Sequence, residues 1–166
     1  MDHVDIILQQ WQRERPDLDT AAMGLLGRLT RLHAHLSREI ESVLAEHDLS
    51  RASFDVLATL RRSGAPYRLS PGDLLAATMV TSGTMTNRID QLEKRGLVCR
   101  LSNPPDGRSV LIGLTDEGLS LIDRTVTAHV ANQQKITSGL SPDEFAALDG
   151  LLARYLAQFE PAAPKE

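Results

Sequence analysis

Two short alternating segments, LVCRLS (97–102) and SVLIGLT (109–115), flank NPPDGR (103–108), a run dense in turn residues. Alternation with period two predicts half-buried strands, and the Pro-Pro-Asp-Gly run predicts the bend between them, so this stretch reads as one β-hairpin with a long polar tip. The rest of the chain carries helical periodicity. A single hairpin among helices cannot build a sandwich or a barrel. It restricts the chain to a mainly α fold with one small β appendage.

The helices are well punctuated. Residues 3–13 place Val4, Ile7, Leu8 and Trp11 on one face, and Pro16 ends that helix. Asp19 or Thr20 opens a long helix to about His47, with apolar residues from Met23 to Leu44 at spacings of three and four. That length exceeds what a small core needs, so part of this face is expected to meet a second subunit. Ser50 caps a helix whose face is Phe54, Leu57 and Leu60 and which ends at Gly64; a link at 67–69 follows, with some extended character. Ser70-Pro71 opens a short helix to Ala76 or Ala77, and Thr81 or Ser82 opens another to about Arg95, with Met85, Ile89 and Leu92 inward and Gly96 as its stop. Beyond the hairpin, Thr115 caps a helix to about Thr137, and Ser141-Pro142-Asp143-Glu144 opens the last one, to Phe159. The tail PAAPKE is expected to fray.

Three helices followed by a two-stranded ribbon over 50–114 describe a winged helix-turn-helix. The segment 82–95 would lie in the major groove, presenting Ser82, Thr84, Thr86, Asn87 and Arg88 near its start to base edges. Arg108 at the hairpin tip would reach the neighbouring minor groove, and Arg51, Arg61, Arg62 and Arg68 are candidates for phosphate contacts or for plain solvation. Charge agrees. The chain carries −4 overall, yet residues 51–108 hold nine Lys/Arg against five Asp/Glu, leaving nine against seventeen elsewhere. A basic middle between acidic ends suits a polyanion.

The stretches SGTMTNRIDQLEKRGLVCR and PPDGRSVLIGLT resemble the core of MarR-family transcriptional regulators: a recognition helix ending in L-E-x-x-G-L, then a wing with D-x-R. The likeness spans about 18–158. It implies a homodimer with interlocked terminal helices, each lobe reading half of a pseudo-palindromic double-stranded operator. Gly107 stands where many relatives carry a second arginine, leaving Arg108 as the wing contact, oriented by Asp106. The implied organisation is 1–47 for dimerisation, 48–114 for DNA, 115–160 for dimerisation again, and a tail at 161–166.

The added first helix with Trp11, then ERPDLD, FDVLATLRRSG, SGTMTNRID and LVCR, is similar to the urate-responsive branch of that family. There a tryptophan, an aspartate and two arginines line an anion pocket. The matching positions are Trp11, Asp55, Arg88 and Arg100. The resemblance implies a repressor released by urate or a related purine. A polycarboxylate such as trans-aconitate, or no ligand at all, remains the alternative. Asp55 and Arg88 each adjoin core-facing residues, where a mutual ion pair is favoured over a lone charge.

Other chemistry finds little support. No Gly-rich phosphate loop, H-E-x-x-H or serine elbow is present, so no enzyme is expected. The histidines show no ligand spacing, so no metal or cofactor is expected. Cys99, the only cysteine, alternates inside a strand and reads as a packed thiol in a reducing, cytoplasmic setting. No apolar run approaches the ~18 residues of a membrane span.

Overall fold

The computed structural model describes residues 1–78, 82–102 and 110–160, with residues 82–84 described by backbone only. In order, the elements are α1 (His3–Glu14), α2 (Ala21–Ala45), α3 (Arg51–Arg62), β1 (Arg68–Leu69), α4 (Pro71–Ala77), α5 (Ser82–Lys94), β2 (Val98–Ser102), β3 (Val110–Leu114), α6 (Asp116–Thr137) and α7 (Pro142–Leu156). The fold is mainly helical with a small antiparallel sheet, as the hairpin predicts. The chain divides into two compact units, Met1–His129 and Val130–Glu166. No helix among the described residues is long and apolar enough to cross a membrane.

Local chemistry sets the helix starts. The Ser50 hydroxyl accepts from the Ser53 amide at 3.2 Å, and the Ser70 hydroxyl accepts from the Asp73 amide at 3.1 Å, with Pro71 at the first helical position. Thr115 does the same for the Gly118 amide at 3.0 Å. Ser141 and Glu144 form a reciprocal box, which holds the Glu144 carboxyl below its ordinary pKa. Each such cap contributes about 1 kcal/mol. The start of α2 is different: Thr20 occupies the cap position without a side-chain bond, and Asp19 accepts from the Ala21 amide instead, at 2.9 Å. A box at the very start of the chain, between Asp2 and Asp5, caps α1. Helix α2 stops at Ala45, short of His47, because Asp48 turns left-handed at φ 54° and sends the Leu49 amide back to Leu44. Gly96, at φ 69°, ends α5 in the same conformation, one that suits glycine.

The ribbon has three strands rather than two. The link after α3 pairs with β3, Arg68 opposite Gly113 and Leu69 opposite Ile112, giving the order β1-β3-β2. Within the hairpin, Val98 faces Leu114 and Arg100 faces Ile112. The core of the first unit gathers Val56, Leu57 and Leu60 of α3, Leu74 of α4, Met85, Ile89 and Leu92 of α5, and Ile112 and Ile122. On α3 the buried row runs through Ser53, Val56, Leu57 and Leu60, so Phe54 falls at its margin, half-buried against the ring of His129. The predicted tail, 161–166, and the hairpin tip, 103–109, lie outside the described residues.

The terminal helices keep large apolar side chains in solvent. Helix α7 buries no residue, and Phe145, Leu151 and Phe159 are about half exposed or more. Leu25, Leu26 and Leu32 of α2 are likewise exposed. Helix α1 lies along α2, buries Val4, and approaches closely at Gly24 and Gly27. Arg28 then ties the two helices, bonding Asp2 at 2.8 Å and Asp5; that contact lowers the pKa of the Asp2 carboxyl.

Candidate nucleic-acid interface and anion pocket

Helix α5 turns Met85, Ile89 and Leu92 into the core, and this leaves Thr86 and Asn87 exposed near its start. Asn87 receives a long bond from Gln91 at 3.4 Å, so its side chain lies along the outer face. Ser82 and Thr84 belong to the same helix, described by backbone alone, and Asp106 and Arg108 lie in 103–109, outside the described residues.

Several of the arginines suggested for phosphate are engaged within the chain. Arg61 pairs with Asp123 at 2.7 Å and lies 5.0 Å from the centre of the Tyr67 ring. Arg62 donates to the Ala77 carbonyl at the end of α4. Arg51 donates to the Ser37 hydroxyl at 3.2 Å, and the side chain of Arg68 covers Gly113.

Arg88 is half-buried, and its Nη1 donates to Ser53 Oγ at 3.3 Å and to Gln91 Oε1 at 2.8 Å. Its Nε is buried and has no hydrogen-bond partner among the described residues. A buried guanidinium N–H without an acceptor is costly, which marks it as a place where an acceptor belongs. Beside it opens a hollow of about 460 Å³ lined by Glu41, Ala45, Leu49, Ser50, Arg51, Ala52 and Arg88. Ser53 is itself buried and also receives the Ser50 hydroxyl at 3.0 Å. Asp55 is half-buried on α3, two residues past Ser53.

The other two pocket candidates are placed differently. Trp11 is 40% exposed and borders a separate hollow of about 270 Å³ with Gln10 and Glu14. Arg100 is held by two carboxylates of α5, Asp90 and Glu93, and its amide donates to Glu93 Oε1 at 3.2 Å. Its bond to Asp90, more than any other contact, raises its pKa above the ordinary value. Sequence reasoning missed Ser53 and Gln91 as partners of Arg88. The S-x-x-S spacing of Ser50 and Ser53 was the one available signal. Among the described residues, no group of three or more His, Cys, Asp and Glu is placed to hold a metal. Cys99 is half-buried, its thiol 3.8 Å from the Gly113 carbonyl.

Three short helices feeding a β-hairpin, with one helix presenting short polar side chains, is the architecture of winged-helix DNA-binding proteins. A family profile described as MarR family matches residues 47–109. The transcriptional regulator PecS of Dickeya dadantii (strain 3937) is 45% identical over 151 residues, covering 91% of each chain. Among solved structures, a cysteine-to-serine mutant of MarR from E. coli complexed with operator DNA superposes with a TM-score of 0.68 at 29% identity, covering 88% of this chain and 97% of that one. BpsR of Bordetella bronchiseptica, described with the regulation of its DNA binding by 6-hydroxynicotinic acid, gives 0.69 at 28% identity, over 83% and 95%. This chain belongs to the MarR family of DNA-binding transcriptional regulators.

Proposed function

We propose that the chain works as a homodimeric repressor that reads a pseudo-palindromic operator and leaves it when a small planar anion, urate or a related purine, settles against Arg88. The observation that carries this reading is the buried Nε of Arg88, which has no partner among the described residues, on the helix assigned to the major groove. A planar anion offering two acceptors side by side would take Nε and Nη together, in the fork geometry that arginine prefers. Arg51, on the wall of the same hollow, would supply a second positive charge. Arg88 itself rests on Ser53 and Gln91 rather than on Asp55, so Asp55, half-buried on α3, is assigned to the site by the resemblance alone. Trp11, beside a separate hollow with Gln10 and Glu14, is assigned to the anion by the resemblance alone. Arg100 already spends both terminal nitrogens on Asp90 and Glu93 and is left out of this pocket.

Taking Arg88 from Ser53 loosens a bond between α5 and α3, so occupancy is felt by the reading helix. A difference of ~1–3 kcal/mol between the two states is enough for regulation. The ligand class also has a neighbour: BpsR is described with 6-hydroxynicotinic acid, a planar aromatic acid. The dimer is supported by exposed Leu25, Leu26, Phe145 and Leu151, an amount of apolar surface that a solitary chain of this size rarely leaves in water. Thr86, Asn87, Ser82 and Thr84 are assigned to bases, and Arg108, oriented by Asp106, to the wing contact.

The test is a thermal-shift and mobility-shift series with urate, xanthine, hypoxanthine and trans-aconitate. Urate or a purine should raise the melting temperature and release DNA. Release by trans-aconitate alone would move the ligand class to polycarboxylates. If no anion does either, the ligand-gated reading fails and a constitutive DNA-binding dimer stands.

A further inference from the structure

We infer that Arg100 is a brace between the reading helix and the wing, and hence a positioning residue for operator recognition. Asp90 and Glu93 stand one turn apart on α5 and share a face. After the stop at Gly96 the chain returns along that face as β2. From there Arg100 places one terminal nitrogen on Asp90, the other on Glu93, and its own amide on Glu93 as well. Side chain and backbone are both committed. Leu97 already bonds Leu92 at the turn, but that contact holds only the base of the strand. Arg100 holds it further out, two residues before Ser102, the last described residue ahead of the wing tip.

Charge excludes a simple phosphate contact. One arginine with two carboxylates carries a local −1, which repels a polyanion. Two half-buried carboxylates on the β2 side of a DNA-reading helix cost binding energy unless they do something else. An isolated exposed pair adds little to stability, but a three-membered network with a backbone bond fixes a geometry. The geometry it fixes is the angle between α5, which carries Thr86 and Asn87, and the strand leading to Arg108. Operator recognition needs both to reach their grooves at once. This inference rests on the DNA-binding class of the protein and is independent of the ligand.

The experiment uses the full chain, a duplex selected with it from a random pool, and a scrambled duplex of equal length. Asp90→Asn, Glu93→Gln, Arg100→Gln and the exchanged pair Glu93→Arg with Arg100→Glu are each first checked by thermal melting. A brace predicts that neutralising either carboxylate weakens binding to the selected duplex by roughly three- to tenfold, although negative charge has been removed. Scrambled-duplex binding should hold or tighten, so the ratio between the two falls, and the exchanged pair should recover most of it. The opposite pattern overturns the inference: neutralised carboxylates that tighten both duplexes, and an Arg100→Gln variant whose salt slope drops by about one, make Arg100 a phosphate contact. Unchanged binding by every variant, or an effect confined to release by urate, overturns it as well.

Discussion

A Cβ on Gly118 would lie 1.9 Å from the carbonyl oxygen of Leu97, so the first turn of α6 and the start of β2 meet backbone to backbone. The same carbonyl accepts the Thr115 amide at 3.2 Å, and the Thr115 hydroxyl caps the helix through Gly118. Gly118→Ala must push these elements apart. We expect it to lower stability by about 2 kcal/mol or more, read from the urea midpoint at fixed protein concentration. An unchanged midpoint would mean that α6 is free to slide.

Asn87 and Arg108 should fail in different ways. Asn87→Ala is expected to relax discrimination at particular operator bases by ~1–3 kcal/mol while binding to unrelated duplexes persists. Arg108→Ala should weaken all sequences alike and reduce the salt slope by about one. Uniform loss from Asn87→Ala would remove it from base reading.

Trp11→Phe should weaken urate binding and spare operator affinity. Titration calorimetry for the anion and a mobility shift for DNA separate the two. Unaltered anion affinity would leave Trp11 as a packing residue of α1.

His129 links stability to pH. Burial first, and then the charge of Arg51, push its pKa below the ordinary 6.5. The folded chain therefore binds this proton less readily than the unfolded chain does. As pH falls through about 6.5 the unfolded form takes up the proton first, and stability declines until the folded value has also been passed. At higher pH the ring is neutral in both states and the effect vanishes. The unfolding midpoint should drop between about pH 7.5 and about pH 5, and by less in His129→Gln. An identical drop in both proteins would assign the effect to other groups.

What could be read in the sequence was what local chemistry decides. Ser50, Ser70, Thr115 and Ser141 announce their helices because a hydroxyl three residues ahead of a free amide is a short-range device. Met85, Ile89 and Leu92 declare the inner face of α5 by period alone. The pairing of Arg68–Leu69 with β3 joins residues more than forty positions apart, and only tertiary packing selects it. The partners of Arg100 were hidden for another reason. Alternation places Arg100 on the face of Val98, but Asp90 and Glu93 come within reach only once Gly96 has turned the chain. Ser53 stands at S-x-x-S spacing from Ser50, but that spacing marks a helix cap and does not by itself name the acceptor for Arg88.

Ser50 and Ser53 carry a consequence for variation in this protein. The hydroxyl that closes the end of α3 also bonds the hydroxyl that holds Arg88. Under the proposed gating through Arg88, folding and signalling draw on the same two oxygen atoms. A substitution at Ser50 cannot adjust the helix end without also altering the grip on Arg88. On that reading, adaptation toward a new anion is expected to register as a change in melting temperature, even when the new molecule never touches α3.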